Sequence, residues 1–290
     1  MILLDLNQIM ISSIITQLGN HTNTPLEEDL VRHIVLNTIR SLKKKFSEYG
    51  ELVIACDDKN YWRRSIFPYY KGNRKKDREK SDLDWFSLFN HLNKIKQELK
   101  DNFSYRVIQV HGAEADDVIA TLCKNYGEIL NTPLAEKIMI LSGDKDFIQL
   151  HKYSNVLQYD PVRKKQIVND DPIRYLEELI LKGDRGDGIP NIFSSDSCLV
   201  EGTRQKPLTA KKIKEIVSQG GIIQYLTGCK VFFDNYYRNK ELIDFSMIPE
   251  ELQTAIMEVF ASQSNKGQDK LFKYFIQHNL KNLIEHISEF

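Results

Sequence analysis

Hydrophobic and polar positions alternate between two patterns over the first two-thirds of the chain. Short apolar runs at Ile2–Leu6 (broken only by Asp5), Leu52–Cys56, Tyr105–Val110 and Lys137–Leu141 have the length of buried strands. Between them, apolar residues recur at helical spacing. Val31, Ile34, Val35, Thr38, Leu42, Phe46 and Tyr49 form one stripe, with Thr24-Pro25-Leu26-Glu27 as a capping-box start and Gly50 as a stop. Ser81–Asp84 opens a second helix to about Asp101, with Leu83, Phe86, Phe89, Leu92 and Leu99 apolar. Glu114–Tyr126 is a third, closed by Gly127. Strands separated by helices predict an α/β fold with a mainly parallel central sheet flanked by helices.

After about Asp170 the pattern turns helical. Pro172–Lys182 and Thr209–Ser218 are helices on either side of a glycine-containing loop at 183–208. The remainder to Phe290 is helical, broken at Gly220, Gly221, Gly228, Pro249 and Gly267. The expected division is an α/β core over 1–170 and a helical region over 171–290.

Composition narrows the class. With 41% hydrophobic and 28% charged residues in 290, the chain has ample material for a core, which excludes a disordered chain. No apolar run approaches the ~18 residues of a spanning helix, and Met1–Asp5 lacks the basic flank of a signal peptide. Cys56, Cys123, Cys198 and Cys229 show neither disulfide nor zinc spacing. A cytoplasmic protein is expected.

The formal net charge is zero, but its distribution is uneven. Residues 59–80 carry nine Lys or Arg against two acids, and residues 203–214 carry five with none. The acids are concentrated elsewhere. Each predicted strand ends in or just before one: Asp5, then Asp57, then Glu114, Asp116 and Asp117, then Asp144 and Asp146. Asp184 and Asp187 follow in the first glycine loop. In an open parallel sheet the carboxyl ends of the strands share one crevice, so topology alone brings these groups together. Singly, most are ordinary turn or first-turn acids; their convergence is what points to chemistry.

Two unit charges ~4 Å apart repel by about 4 kcal/mol at an effective dielectric of 20, so converging carboxylates call for a cation. Oxygen-only donors favour Mg²⁺ or Mn²⁺ over zinc. So many acids suit two ions, the arrangement that stabilises both the attacking and the leaving oxygen of a phosphoryl displacement. With these acids assigned to metal, the rest of the chain is net positive and suited to a polyanion.

The basic segments fit the same substrate. Tyr61-Trp-Arg-Arg-Ser-Ile-Phe-Pro-Tyr-Tyr-Lys71 interleaves aromatics with cations, ahead of Arg74, Lys75 and Lys76. Trp62 and Phe67 serve equally well as core. Gly183, Gly186 and Gly188 allow close backbone approach, and Thr209 caps a helix whose first turn carries Lys211 and Lys212, a turn suited to a phosphate.

Together these motifs resemble the 5′-nuclease (flap endonuclease) family, and within it the ribonucleases H of T-even-type bacteriophages. The matching elements are Leu-Leu-Asp5, Ala-Cys-Asp57, Tyr-Trp-Arg-Arg64 with Tyr-Tyr-Lys71, Glu114-Ala-Asp-Asp117, Ser-Gly-Asp-Lys-Asp146 and Lys-Gly-Asp-Arg-Gly-Asp187. The resemblance implies a PIN-like core with a basic arch at about 59–82, and a helix–three-turn–helix in the C-terminal region. It implies a divalent-metal-dependent 5′→3′ exonuclease and flap endonuclease that removes RNA primers from lagging-strand fragments. One ion, by this resemblance, draws on Asp5, Asp57, Asp116 and Asp144. The other draws on Asp146, Asp184 and Asp187, with Glu114 near both and Asp117 acting through water. Tyr70 and Lys71 would sit at the base of the arch, with Arg64 and Arg74 neutralising developing charge. Arg63, Lys75, Lys76, Gly183, Gly186, Gly188, Thr209, Lys211 and Lys212 are the expected nucleic-acid contacts. Implied partners are duplex DNA or RNA/DNA with a 5′ end or flap, and a single-stranded-DNA-binding protein or sliding clamp; a monomer is expected.

The chain departs from the family where the last acid is followed by Gly188-Ile-Pro-Asn191 and residues 192–208 are inserted. Two other readings share some of these features. A metal-dependent phosphatase on a similar sheet would keep the acids. A non-catalytic structure-specific DNA-binding protein would keep the basic blocks.

Overall fold

The structure, a computed structural model, describes residues 1–290 apart from 19–25, 82, 129–135, 219–221, 223–226 and 264–268. The elements are β1 (Ile2–Asp5), α1 (Leu6–Leu18), α2 (Glu28–Lys45), β2 (Leu52–Ala55), α3 (Arg63–Ile66), α4 (Asn73–Glu79), α5 (Trp85–Asn102), β3 (Arg106–Ile108), α6 (Ala115–Glu128), β4 (Ile138–Leu141), β5 (Val156–Asp160) and β6 (Lys165–Ile167). They continue with α7 (Pro172–Lys182), α8 (Cys198–Glu201), α9 (Ala210–Ser218), α10 (Lys230–Ile243), α11 (Glu250–Ser262), α12 (Leu271–Gln277) and α13 (Lys281–Ile284).

The strands form one six-stranded sheet in the order β3-β2-β1-β4-β5-β6, parallel except for the β5–β6 edge. β1 is central, with Asp5 opposite Ala55 of β2 and Leu4 opposite Leu141 of β4. Its residues are buried on both sides, as an internal parallel strand requires. Successive side chains point to opposite faces. Ile2, Leu4, Leu52, Ile54, Met139 and Leu141 pack against α1, α2, α5 and the last twenty residues, with Tyr274, Phe275 and Phe290 closing that core. Leu3, Val53, Ile108, Ile138 and Ile140 face α6 and α11 through Ile119, Ile256 and Phe260. A third core joins Phe67 and Tyr70 to Ile180, Ile189, Ile213, Ile216 and Leu242. The chain after residue 170 is therefore spread over all three cores.

Several expectations need correction. α1 was not foreseen: it carries no charge at either end, so its polar face is only Asn, Gln, Ser and Thr. Thr24 and Pro25 lie outside the described residues, and α2 begins after Glu27, whose side chain makes no capping bond. Asp82, Gly220, Gly221 and Gly267 lie outside them too. Helix α6 runs through Gly127 to Glu128 rather than stopping there. Gly127 is small for another reason, since a Cβ on it would lie 2.8 Å from the Tyr153 ring. Phe86, expected on the apolar face of α5, is 79% exposed. The β5–β6 hairpin and the short helices α3 and α4 within the basic segment were also not foreseen.

Candidate metal centre

Four carboxylates line one cavity of about 670 Å³ at the carboxyl ends of the parallel strands: Asp5, Asp57, Asp116 and Asp144. Asp5 ends β1, Asp57 follows β2 by two residues, Asp116 lies in the first turn of α6, and Asp144 follows β4 by three. Hydrogen bonds aim them. Asp5 accepts from the Gln8 backbone N–H at 3.2 Å and the Ser142 hydroxyl at 3.3 Å. Asp57 accepts from the Ala115 N–H at 2.8 Å and the Asn7 amide at 2.6 Å, which ties β2 to the start of α6. Asp144 accepts from the Asp146 N–H at 3.0 Å. Beneath it, fully buried Gln158 donates to the Ser142 and Asp144 carbonyls.

Burial and mutual repulsion act in the same direction here. Burial first, then the charges of Asp57 and Asp144, push Asp5 up to about 7. Asp116 is held far above the usual carboxylate range by burial and then by Asp144 and Asp5. Burial raises Asp144 as well, helped by Asp187 and Asp184. Asp146 is raised by burial, then by Asp144 and Asp187. An ionised cluster of this kind requires positive charge, and its donors are all oxygen, the set that suits a hard divalent cation. Among the described residues no three His, Cys, Asp or Glu already close around one point as a cage. Mg²⁺ does not need one, because it keeps most of its waters and takes one or two carboxylates directly. The residues present fit the metal.

Of the remaining acids, Glu114, Asp117 and Asp187 are compensated by protein cations. Glu114 and Asp117 are buried and share Arg63, whose guanidinium lies 2.8 Å from each. Asp117 also caps α6, accepting from the Glu114 N–H at 2.9 Å, and takes the Trp62 indole N–H at 3.1 Å. Lys71 reaches Glu114 on one side and lies 3.7 Å from Asp187 on the other. Arg74 also pairs with Asp187. Burial would raise Asp187, but Lys71 and Arg74 outweigh it and hold the carboxyl below its usual range. The Tyr70 hydroxyl lies 3.0 Å from both Glu114 and Asp187. Asp184 turns inward on its own loop, accepting from the Gly186 and Asp187 N–H groups.

The loop holding Asp187 docks on the segment holding Lys71. Lys71 has a positive φ of 55°, rare for a side chain with a Cβ, and its N–H donates to the Asp187 carbonyl at 2.7 Å. Gly188 lies against them; a Cβ there would sit 3.0 Å from the Tyr69 carbonyl oxygen.

The expected residues therefore fall into groups. Asp5, Asp57, Asp116, Asp144, Lys71 and Arg74 line the cavity; Asp146 and Asp187 are its charged neighbours. Glu114 and Asp117 are turned toward Arg63 instead. Arg63 is a correction: at 3% exposure it holds two acids and the Leu242 carbonyl, so it is not a surface contact for nucleic acid. Arg64 is exposed and lies over the Tyr61 ring, 4.9 Å from its centre, outside the cavity lining. Lys75, Lys76 and Lys211 are exposed, Lys212 reaches Glu215, and Thr209 caps α9 by accepting from the Lys212 N–H. Gly183 and Gly188, both at positive φ, serve backbone packing, and the Gly186 N–H donates to the Asp184 carboxylate. Asn7, Gln8, Ser142, Gln158 and Arg78 were missed. Asn7 and Gln8 lie two and three residues after Asp5, which was the available signal.

Comparisons with known proteins bear on this site. Residues 2–176 match the model of the 5′-3′ exonuclease N-terminal resolvase-like domain, and residues 174–290 that of the T4 RNase H C-terminal domain. The chain is 33% identical to ribonuclease H of Enterobacteria phage T4 across 99% of its own length and 95% of that protein's. It is 30% identical to flap endonuclease Xni of Shewanella pealeana over 59% of this chain and 65% of that one. Among solved structures, the bacteriophage T5 flap endonuclease in a complex with DNA and metal ions superposes with a TM-score of 0.67 at 18% identity, covering 91% of this chain and 99% of that one.

Proposed function

The chain belongs to the 5′-3′ exonuclease family, in the group that carries the T4 RNase H C-terminal domain, and from that premise we infer that its carboxylate cavity is where phosphodiesters are cut. The protein is a 5′→3′ exonuclease and flap endonuclease, a phosphodiester hydrolase acting on DNA with a divalent metal. One observation carries the assignment to this cavity: four carboxylates from the ends of the parallel strands face Lys71, Arg74 and Arg78 across a single space.

Asp5, Asp57, Asp116 and Asp144 would hold one ion, and Asp146, Asp184 and Asp187 a second, with Mn²⁺ as a substitute for Mg²⁺. When bound, such ions supply an activated water and charge stabilisation for the departing oxygen. The protein's own side chains do the rest. Lys71 is locked between Glu114 and Asp187, so its ammonium meets a phosphate oxygen without having to be ordered first. Arg74 and Arg78 flank it on one face of α4 and neutralise adjoining phosphates. Tyr70 braces Glu114 against Asp187 and so positions Lys71. Arg63 pairs with Glu114 and Asp117 in the interior and so fixes the side chain of Glu114 that holds Lys71.

The helical region after about residue 170, with Gly183–Lys212 as its grip, would hold the duplex, as α9's exposed Lys211 and capped first turn suggest. Lys75 and Lys76 would meet the strand as it leaves the site. Removal of RNA primers from lagging-strand fragments, by a monomer in the host cytoplasm working beside a single-stranded-DNA-binding protein or clamp, is the setting this activity suits. No helix among the described residues is long and apolar enough to cross a membrane. The test is release of nucleotides from a 5′-labelled RNA/DNA primer–template. Release with Mg²⁺ that stops on adding EDTA is expected; release that survives EDTA would overturn the reading.

A further inference from the structure

Helix α10 contributes no residue to the lining of the carboxylate cavity, yet its C-terminal end is bonded to two of the segments that carry acids. Asn239 is fully buried. Its amide donates to the Ile180 carbonyl at 2.8 Å and to the Pro190 carbonyl at 2.9 Å, so one side chain clasps both ends of the loop that carries Asp184 and Asp187. The Asn239 oxygen accepts from the Arg238 guanidinium, which fixes the amide in that orientation. Four residues on, the Ile243 carbonyl accepts from the Gln149 amide at 3.0 Å, and the Gln149 oxygen accepts from the Phe245 N–H at 2.9 Å. Gln149 belongs to the helical turn Asp146–Lys152, and Phe147 of that turn packs on Phe245 with ring centres 6.0 Å apart. Between the two clasps the Leu242 carbonyl accepts from Arg63 at 2.8 Å. The carbonyls of Leu242 and Ile243 end the helix and have no partner within it, so these bonds satisfy groups that would otherwise be left bare.

We propose that this end of α10 fixes the second ion site: Asn239 and Gln149 are positioning residues that hold the loop of Asp184 and Asp187 at a set distance from Asp146. The proposal rests on the two-ion reading above. Asp146, Asp184 and Asp187 act on one another as like charges, and that repulsion drives their two segments apart when no cation is present. Mg²⁺ in turn accepts only near-ideal octahedral geometry. A site assembled from two loops therefore needs both loops held from behind. The two clasps sit four residues apart on one helix, about 6 Å along its axis, a spacing that the helix itself keeps rigid.

The test titrates Mn²⁺ into the full chain and follows it by electron paramagnetic resonance, which counts free ions and shows whether bound ions are magnetically coupled. The wild type is expected to take up two ions with a coupled spectrum. Asn239→Leu and Gln149→Met, each close in volume to the residue replaced, are expected to keep the first ion at wild-type affinity. They should bind the second at least about tenfold more weakly, as loss of an outer hydrogen-bond partner does, and show the uncoupled spectrum at two equivalents. Leu283→Ala opens a hole in a different core and should keep both ions. An unchanged second ion in the clasp variants, or its equal loss in Leu283→Ala, would overturn the proposal. A second arm uses the wild type alone. Because coupling is reciprocal, filling the second site should slow hydrogen exchange at the Phe245 N–H about tenfold more than at the Leu283 N–H. Equal slowing would overturn the proposal even where a variant fails to fold. Uptake of a single ion by the wild type would instead defeat the two-ion reading, and this proposal with it.

Discussion

Arg63 and Glu114, from α3 and the loop before α6, meet in an ion pair 2.8 Å long whose two side chains are 3% and 1% exposed. The same guanidinium holds Asp117 and the Leu242 carbonyl. Removing one partner of such a pair leaves uncompensated charge in the interior, at a cost of about 3–5 kcal/mol. Arg63→Met should lower the free energy of urea unfolding by that amount at neutral pH. A free energy within about 0.5 kcal/mol of wild type, the usual range for a surface change, would show that Arg63 has no structural role.

The carboxylate cavity trades stability for chemistry. Burial and then neighbouring acids raise Asp144, so removing its charge should stabilise the protein when no metal is bound. Asp144→Asn keeps the oxygen that accepts from the Asp146 N–H. It is expected to raise the metal-free melting temperature by about 2–4 °C, roughly 1 kcal/mol in a protein of this size, and to lose most of the further rise that Mg²⁺ gives the wild type. A lower metal-free melting temperature would contradict this.

How much of this was legible in the sequence depends on what kind of contact decides each position. That Asp5, Asp57, Asp116 and Asp144 share a cavity follows from parallel topology, because each lies where a strand hands over to the next element. Arg63 was not legible. In sequence it is one cation in a basic stretch; only the meeting of α3 with Glu114, Asp117 and Leu242, up to 179 residues away, makes it internal. Lys71's left-handed backbone depends on the Asp187 loop docking against it, which no local pattern records. Helix α1 escaped notice because amphipathic contrast is weak when no residue is charged, and β6 because Lys165, Gln166 and Ile167 give too short a run to show alternation.

Gly183 makes a sharp backbone prediction. It sits at φ 66°, and a Cβ there would fall 2.3 Å from the Ile189 carbonyl oxygen and 2.5 Å from that of Pro190. Neither can yield without moving the loop that carries Asp187. Gly183→Ala should cost about 2 kcal/mol or more in urea unfolding and reduce turnover as well. Native stability in that variant would mean the loop does not pack this way in solution.

A second buried charge sets the acid limit. Arg32, fully shielded, is held by Glu28, Asp29 and Glu98. Bonds from Lys94 and then Arg32 lower Glu28 to about 2. Burial would raise Glu98, but bonds from Arg32 and Tyr274 outweigh it and lower it. Groups with depressed folded pKa values stabilise the fold above their unfolded value near 4.5, and that stability is lost as pH falls through the folded value. The loss should fall between about pH 4.5 and pH 2. Glu98→Gln is expected to be less stable than wild type at pH 6 and to lose less on going from about pH 5 to pH 3; equal losses would remove Glu98 from the acid transition.

The most direct measurement is the turnover of Asp116→Asn beside wild type, on a 5′-labelled RNA-primed template with saturating substrate and Mg²⁺. Asp116 lines the cavity and is surrounded by Asp5 and Asp144, so it stands at the centre of the proposed ion site. A loss of at least ~10²-fold in kcat is expected, the scale set by removing one transition-state electrostatic partner. Turnover within a few-fold of wild type would show that phosphodiesters are cut elsewhere.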